Sequence, residues 1–485
     1  MNKKIKKVLI ANRGVPAFRV IHTCRDRKIE TTAVYSTPDR LATHVFLADS
    51  AVHIGEAPPI ESYLNKERII DAALKSKSNA IHPGWGFLAE NHEFAQMVID
   101  AGLIWIGPPP NVIKSMGDKI QSKKLAAKAN VPTIPGVNGV KSAADIEKWM
   151  KTEKVKYPII LKASKGGGGK GMVKVSHSKE LASAISKASS EAKKAFGDDK
   201  LLAEKYIEYG RHIEVQIVAD NHGNIIHLFE RECTIQRRNQ KIIEEAPSPS
   251  IDETLRNEIC VTAVRLMREI GYVSAGTVEF IFDPDTRKFY FLEVNTRLQV
   301  EHGITELITG HDIVRNMIDI AQGEKLKFSQ PDIHPNRWAL EVRINAEDPK
   351  TFNPSFGRIS RLQLIPGHSV RVAQGVYEGS EVPPYYDSLI MLIMTSGANR
   401  QDAISAMERT LSRNLRIEGI KTLTPLLLSI IRHKAFQTAD FSTRFIEEHI
   451  DELVSTLDET CVDDELHKIA RFVAEVSALG PRNWM

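Results

Sequence analysis

Apolar and polar positions change rhythm along the chain, and each rhythm predicts a different kind of module. From residue 1 to about 115, short apolar runs alternate with longer amphipathic ones. Val8-Leu9-Ile10-Ala11 reads as a buried strand and Asn12-Arg13-Gly14 as a tight turn. PAFRVIHTCRDR reads as the helix that follows, with Pro16 in its first turn, where a missing N–H is tolerated. Thr32-Ala33-Val34-Tyr35 is the next strand, and Ala80-Ile81-His82-Pro83 and Ile104-Trp105-Ile106-Gly107-Pro108 end two more. Such strand–helix–strand repetition predicts an open parallel α/β sheet. No GxGxxG follows the first strand, so a dinucleotide site of the usual kind is not expected.

The stretch from Pro108 to Pro132 reads as a connector carrying one helix, KIQSKKLAAKAN, which opens at Gly117-Asp118-Lys119. A second module starts near Ile134. Its strand, Pro158 to Ser164, runs directly into Lys165-Gly166-Gly167-Gly168-Gly169-Lys170-Gly171, and a helix at roughly 179–196 and a strand at Leu201–Tyr206 complete it. Residues 212–230 alternate around Asn221-His222-Gly223-Asn224, the signature of a β-hairpin. ETLRNEICVTAVRLMREIG is a helix closed by Gly271. A second hairpin, from Gly276, turns at Asp283-Pro284-Asp285-Thr286. Residues 334–446 read as β followed by α, with RWALEVRINAE and SVRVAQGVYEG as strands and a long helix from about Asp402 to Asn414. After about 450 the chain is acidic and helical.

Composition adds mainly exclusions. The 485 residues predict two to four domains. A net charge of +4 from 65 basic and 61 acidic residues carries no nucleic-acid or membrane signature. Cys24, Cys233, Cys260 and Cys461 lie far apart with no CxxC pair, so neither a zinc site nor a disulfide framework is indicated. Reduced thiols in a cytoplasmic protein are the simplest expectation. The basic N-terminus precedes an apolar run too short for a signal-peptide core, and no 18-residue apolar run follows.

Candidate chemistry concentrates in the second hairpin. Folding it about its turn brings Glu279 and Glu293 nearly opposite each other. Like charges across a strand pair are destabilising, so the pair calls for a cation. With Asn295 two residues on, oxygen-only ligation suits Mg²⁺ or Mn²⁺ bridging phosphates, the alternative being an exposed face with two solvated glutamates. Arg297, Gln299 and Glu301 alternate at spacing two and project to one side of an extended chain, like a small-anion site with its own base. Upstream, the glycine run with lysines at 162, 165 and 170 fits a mobile flap over nucleotide phosphates; a flexible loop tip is the plainer reading. It is not a Walker A loop, because Gly171-Met172 follows Lys170 where Ser or Thr is required. Glu204-Lys205-Tyr206 resembles a linker strand that binds adenine. His212, Glu232 and the run Gln236–Lys241 form a polar cluster that would equally suit a solvated turn.

The order Lys119, Lys162, glycine flap, Glu204-Lys205, Glu279, Glu293, Asn295 resembles the ATP-grasp enzymes. These activate a carboxylate by phosphoryl transfer. VLIANRG (8–14), HPGWGFLAEN (82–91), MGDK (116–119), KASKGGGGKGM (162–172), RECTIQRRNQK (231–241), EEAPSP (244–249), AGTVEF (275–280), EVNTRLQVEH (293–302), RINAEDP (343–349) and PPYYDS (383–388) narrow the resemblance to biotin carboxylase. The family implies an N-terminal parallel α/β domain over 1–116 and an ATP-grasp domain over 117–330 with a mobile lid at about 134–206. It further implies a mixed α+β C-terminal domain over 334–447, followed by a helical acidic tail over 448–485. It implies that ATP, with Mg²⁺ or Mn²⁺, phosphorylates bicarbonate, and that carrier-bound biotin takes the CO₂.

By the same resemblance, Lys119, Lys162, Gly168, Gly169, Glu204, Lys205, His212, Gln236, Glu279 and Glu293 contact ATP, and Glu279, Glu293 and Asn295 hold the metal. Lys241, Arg297, Gln299 and Val300 bind bicarbonate, with Lys241 and Arg297 also counted catalytic. Glu301 is the base, Arg343 stabilises the biotin enolate, and Tyr386 and Asp387 lie at the biotin edge. The sequence departs from the family pattern at Val15-Pro16, at Gly303, where proline is common, and at Leu392, where lysine is frequent. No Met-Lys-Met motif occurs and about thirty residues follow 450. A stand-alone subunit is therefore expected: a homodimer that works with a biotin carboxyl carrier protein and a carboxyltransferase. Asn239 and EEAPS point to an acyl-CoA carboxylase, with a two-subunit pyruvate carboxylase as the alternative. An ATP-grasp carboxylate–amine ligase and a non-catalytic scaffold are rival classes.

Overall fold

In a computed structural model that describes residues 4–163 and 172–457, the N-terminal rhythm folds as its period predicts. β1 (Lys7–Ile10), β2 (Glu30–Ser36), β3 (Ser50–Gly55), β4 (Ala80–His82) and β5 (Ile104–Trp105) form one parallel sheet in the order β3-β2-β1-β4-β5. The strand order reverses between β1 and β4, and a crevice opens beyond their carboxyl ends, the usual ligand position in such sheets. The loops after both strands are tied together there. Asn12 Nδ2 donates to the carbonyls of Pro83 and Trp85, each at 2.7 Å. Gly84, at φ +65°, lets them approach: a Cβ would sit 3.0 Å from both Asn12 Nδ2 and Pro16 Cβ.

A separate four-stranded antiparallel sheet, β6 (Gly136–Val140), β7 (Ile159–Ala163), β8 (Met172–Val175) and β9 (Leu201–Lys205) in the order β6-β9-β7-β8, carries the next module. It closes its own apolar core with the helices Ala143–Glu153 and Leu181–Phe196. The glycine run between β7 and β8, with Gly168 and Gly169, lies outside the described residues, as does the tail from 458 onward.

The largest sheet has eight strands. It contains β10 (Arg211–Ala219), β11 (Ile225–Arg237), β12 (Gln240–Ala246), β13 (Ser274–Asp283), β14 (Lys288–Asn295) and β15 (Trp338–Asn345), then the strands Val370–Gln374 and Leu389–Gly397. Its order is β14-β13-β10-β11-β12-β15, followed by Leu389–Gly397 and Val370–Gln374. The segment after 334 therefore continues the same sheet, through antiparallel pairing of β12 with β15. One apolar core spans the seam between the helix Gly14–Asp26 of the first module and the helices His302–Thr309 and Ile313–Ala321.

Several local expectations change. β3 is an additional edge strand, and the connector carries a further helix at Pro110–Gly117. The expected helix 402–414 is α-helical only over Arg400–Arg409 and widens to a π-helical turn at Thr410–Asn414. Arg297 to Glu301 is not an extended strand: β14 ends at Asn295, the chain bends, and Glu301 stands at the N-terminus of the helix His302–Thr309.

Candidate active site

A cleft of about 1020 Å³ lies between the three modules, large enough for a nucleotide beside a second substrate. Its floor is the hairpin β13–β14. Glu279 pairs with Glu293 in register, and Leu292 forms a bulge between Glu293 and Phe291 that bends β14 at this point. The cation that the pair calls for comes first from the protein. Lys241, at the start of β12, places Nζ 2.8 Å from Glu279 Oε1 and 2.7 Å from Glu301 Oε1, and it also contacts Glu214. His212 Nε2 lies 2.8 Å from Glu279 Oε2, while Gln236 Nε2 donates to His212 Nδ1 at 2.9 Å and so leaves the ring proton on Nε2. Burial raises the Glu279 carboxyl, but Lys241 and His212 outweigh it and hold the group well below the ordinary range.

Glu293 has the opposite balance. Burial, Glu279 and Glu90 push it upward, only partly offset by Lys119 and Lys241. Its carboxylate makes no ion pair or hydrogen bond among the described residues, so its oxygens are open to a ligand. The donor set of Glu279, Glu293 and Asn295 is all oxygen, and a hard divalent ion would relieve the repulsion. These residues fit Mg²⁺ or Mn²⁺.

Around the bend, Arg297 is held by three side-chain acceptors: Glu90 Oε2 at 2.9 Å, Gln299 Oε1 at 3.0 Å and Asn295 Oδ1 at 2.9 Å. Gln299 Nε2 reaches Glu279 Oε1 at 3.3 Å. Glu301 is fully buried between Lys241 and Arg343, whose Nη2 lies 2.9 Å from Glu301 Oε2. Burial raises its pKa, yet Lys241, Arg343 and Arg231 together depress it far below the usual value. The bend thus delivers the same convergence that an extended chain would: two cations, an amide, the Val300 position and an ionised carboxylate share one wall of the cleft.

At the other end, Lys162 on β7 places Nζ 2.6 Å from Glu204 Oε2 on β9. Lys123 also contacts Glu204, and Lys119 lies one turn earlier on the same helix face. Asp118 caps that helix by accepting from the Ile120 and Gln121 N–H groups. Burial, reinforced by Lys119, pushes Lys162 down to about 8 against the pull of Glu293. Burial also lowers Lys119. Lys205 points the other way along β9, 3.7 Å from Asp283 Oδ2, on the same cleft wall. Tyr386 and Asp387 line the rim. The Tyr386 hydroxyl bonds Ser36 Oγ at 2.6 Å, and Arg13 stacks 4.4 Å over its ring, so this edge is built jointly with the first module.

Glu90, Lys123, Glu214, Arg231 and Glu244 are part of this network but were not singled out from sequence. Glu90, Arg231 and Glu244 sat within quoted motifs without being given a role. Glu214, Arg231 and Glu244 lie on alternating strands, where a charged residue reads as the solvent face; here all three are fully buried in the sheet beneath the cleft residues. The departures have structural accounts. Val15 and Leu392 are buried apolar core residues. A Cβ at Gly303 would meet Met394 Sδ at 2.3 Å.

A lysine-lined cleft over a paired-carboxylate hairpin, with a four-stranded antiparallel module beside it, defines an ATP-grasp ligase. The chain belongs to the biotin carboxylase family. Residues 4–113 match the model of the biotin carboxylase N-terminal domain, 118–329 that of the carbamoyl-phosphate synthase L chain ATP-binding domain, and 341–448 that of the biotin carboxylase C-terminal domain. Biotin carboxylase 2 of Bacillus subtilis is 49% identical over 445 residues, covering 92% of this chain and 99% of that one. The propionyl-CoA carboxylase alpha chain of Sus scrofa is 48% identical over 451 residues, covering 92% of this chain and 61% of the longer relative. The biotin carboxylase domain dimer of Hydrogenobacter thermophilus 2-oxoglutarate carboxylase, solved with MgADP, ADP and bicarbonate, superposes with a TM-score of 0.88 at 45% identity. It covers 93% of this chain and 99% of that one. No helix among the described residues is long and apolar enough to cross a membrane.

Proposed function

We propose that this chain is the biotin carboxylase subunit of an acyl-CoA carboxylase, working in the cytoplasm as a homodimer on biotin carried by a separate protein, with a carboxyltransferase subunit downstream. The observation that carries the reaction is the seating of Glu301 between Lys241 and Arg343. ATP would lie along Lys119, Lys162, Glu204, Lys205, His212 and Gln236. A divalent ion held by Glu279, Glu293 and Asn295 would neutralise phosphate charge. Bicarbonate fits the forked guanidinium of Arg297 with Lys241, Gln299 and the Val300 backbone.

Glu301 is ionised but a weak base while two cations hold it. A bicarbonate that draws Lys241 toward itself weakens that hold and raises the basicity of Glu301 where a proton must be taken. Arg343 then faces the biotin side as the fixed cation for charge on the ureido oxygen.

Acceptor choice rests on less. Asn239 takes φ 64° beside Arg238 at φ 50°, at the tip of the β11–β12 turn. Asparagine suits such a turn for backbone reasons, so only EEAPS still favours an acyl-CoA acceptor over pyruvate. ATP hydrolysis by the isolated chain should require bicarbonate and rise with free biotin. Glu301→Gln should lower that biotin-dependent turnover by about 10²-fold or more with nucleotide binding intact. Unchanged turnover in the variant removes the base assignment.

A further inference from the structure

Behind the base lies a carboxyl group that the reaction as described does not use. Glu341 on β15 stands directly across from Glu244 on β12, and across from Met394 on the strand Leu389–Gly397. It is fully buried, and neither of its carboxyl oxygens has a hydrogen-bond partner among the described residues. Glu244 is equally buried. Its Oε1 accepts from Arg343 Nε at 2.7 Å, whereas Oε2 has no partner. Directly opposed residues on paired strands hold their Cβ atoms about 4.5–5.5 Å apart, so these three orphaned oxygens belong to two neighbouring carboxyls.

Two buried like charges at such a separation are not both sustained. One proton between them turns repulsion into a donor–acceptor pair. The surroundings decide which group keeps it. Arg343 engages Glu244, while Glu341 faces Glu244 from β12, Glu301 from the start of the helix His302–Thr309, and uncharged Met394. Gly303 adds no polar group on the helix side; even a Cβ there would come 3.5 Å from Glu341 Oε2. The nearby cations, Arg343 and Arg231, are already bound by Glu244, Glu301 and Glu214. In keeping with this, burial first and Glu244 second push Glu341 well above the ordinary carboxylate range.

We propose that Glu341 is a neutral acid that donates a hydrogen bond to Glu244 and thereby positions Arg343. The proposal rests on the reading of Arg343 as the biotin-side cation. A proton shared with Glu244 moderates that carboxylate's grip on Arg343 and leaves the guanidinium available to the substrate oxygen. Ionisation of Glu341 would add a second negative charge behind Arg343 and draw it back. Its raised pKa places that loss on the alkaline side of the pH profile.

Three measurements on the full chain test this. In difference infrared spectra at neutral pH, the parent minus Glu341→Gln should show the carbonyl stretch of a protonated carboxylic acid. Its absence overturns the proposal whatever the activity of the chain. Glu341→Gln keeps a donor without an ionisable proton. It should hold kcat/KM for free biotin within about threefold of the parent near neutral pH, and lose the alkaline decline. Glu341→Leu removes the donor and should lower kcat/KM for biotin about tenfold or more, while KM for ATP stays within about twofold. Equal losses in the glutamine and leucine variants, or a leucine variant that behaves as the parent, overturn the positioning role. A parent without biotin-stimulated turnover would instead remove the reading of the site, and the infrared band would still report on the proton.

Discussion

At one end of the cleft, Lys123 and Lys162 close on the carboxylate of Glu204 with Lys119 beside them. At the other, Lys241, Arg343 and Arg231 are shared among Glu214, Glu244, Glu279 and Glu301. The first cluster has more cations than carboxylates, and its lysines are pushed down by burial, Lys123 and Lys162 also by neighbouring lysines. The second has three cations for four carboxylates, centred on the inner strands of the eight-stranded sheet, and its arginines are driven up by the carboxylates around them. On the proposed function, the first is the nucleotide end, completed by an anionic ligand, and the second is the base end. The base end is preorganised before any ligand arrives, as electrostatic catalysis requires.

If that contrast holds, the two ends respond differently to the loss of a cation. Arg231 is the bulkiest fully buried side chain among the described residues and binds Glu214, Gln216 Oε1 at 2.8 Å and Thr305 Oγ1 at 2.9 Å. Arg231→Met leaves Glu214 buried with only Lys241 to pair it, and should destabilise the fold by about 3–5 kcal/mol. Chemical denaturation reads this directly. A variant as stable as the parent would mean that the base end is not an interlocked network.

Lys162→Met is the counterpart at the nucleotide end. Removing a lysine whose charge is already penalised by burial should leave the unliganded chain at least as stable as before. It should also raise KM for ATP by about tenfold. Strong destabilisation of the free chain by this change would erase the distinction between the two ends.

The sequence disclosed these two ends unequally. Opposition of Glu279 and Glu293 was legible because hairpin register follows from turn position and alternation. Lys162 was legible as a lysine ending a buried strand. The residues behind Lys241 and Arg343, the partners of Glu301, were not. Glu214, Arg231 and Glu244 are charged residues on alternating strands, and alternation cannot tell a solvent face from a buried ion-pair layer. β3 escaped because Ser50–Gly55 is an edge strand with only Ile54 fully buried. The pairing of β12 with β15 joins residues about a hundred positions apart, and no local period encodes such a contact. The turn at 297–301 shows the converse. Spacing two predicted an extended chain, yet a bend achieves the same convergence, because the strand must end for Glu301 to begin a helix.

The smallest effect concerns protons. In the unliganded cleft Lys162 titrates at about 8, against an ordinary 10.5, so it is charged at neutral pH and increasingly neutral above about 8. Phosphate oxygens beside it favour the ammonium and restore its pKa upward. Binding of MgADP above pH 8 should therefore take up a fraction of a proton, and affinity should weaken as pH rises through that range. The fold itself bears the opposite sign. A lysine with a lowered native pKa costs stability as pH falls from its unfolded value toward about 8, and the cost is then constant below it. Calorimetric titration in two buffers of different ionisation enthalpy measures the uptake, and Lys162→Met should abolish it. Uptake that persists in the variant would place the titrating group elsewhere, and no uptake in the parent would mean that Lys162 stays fully charged in the empty cleft. Either result would remove the claim that the ligand completes the charge of the nucleotide end, and leave the contrast resting on the base end alone.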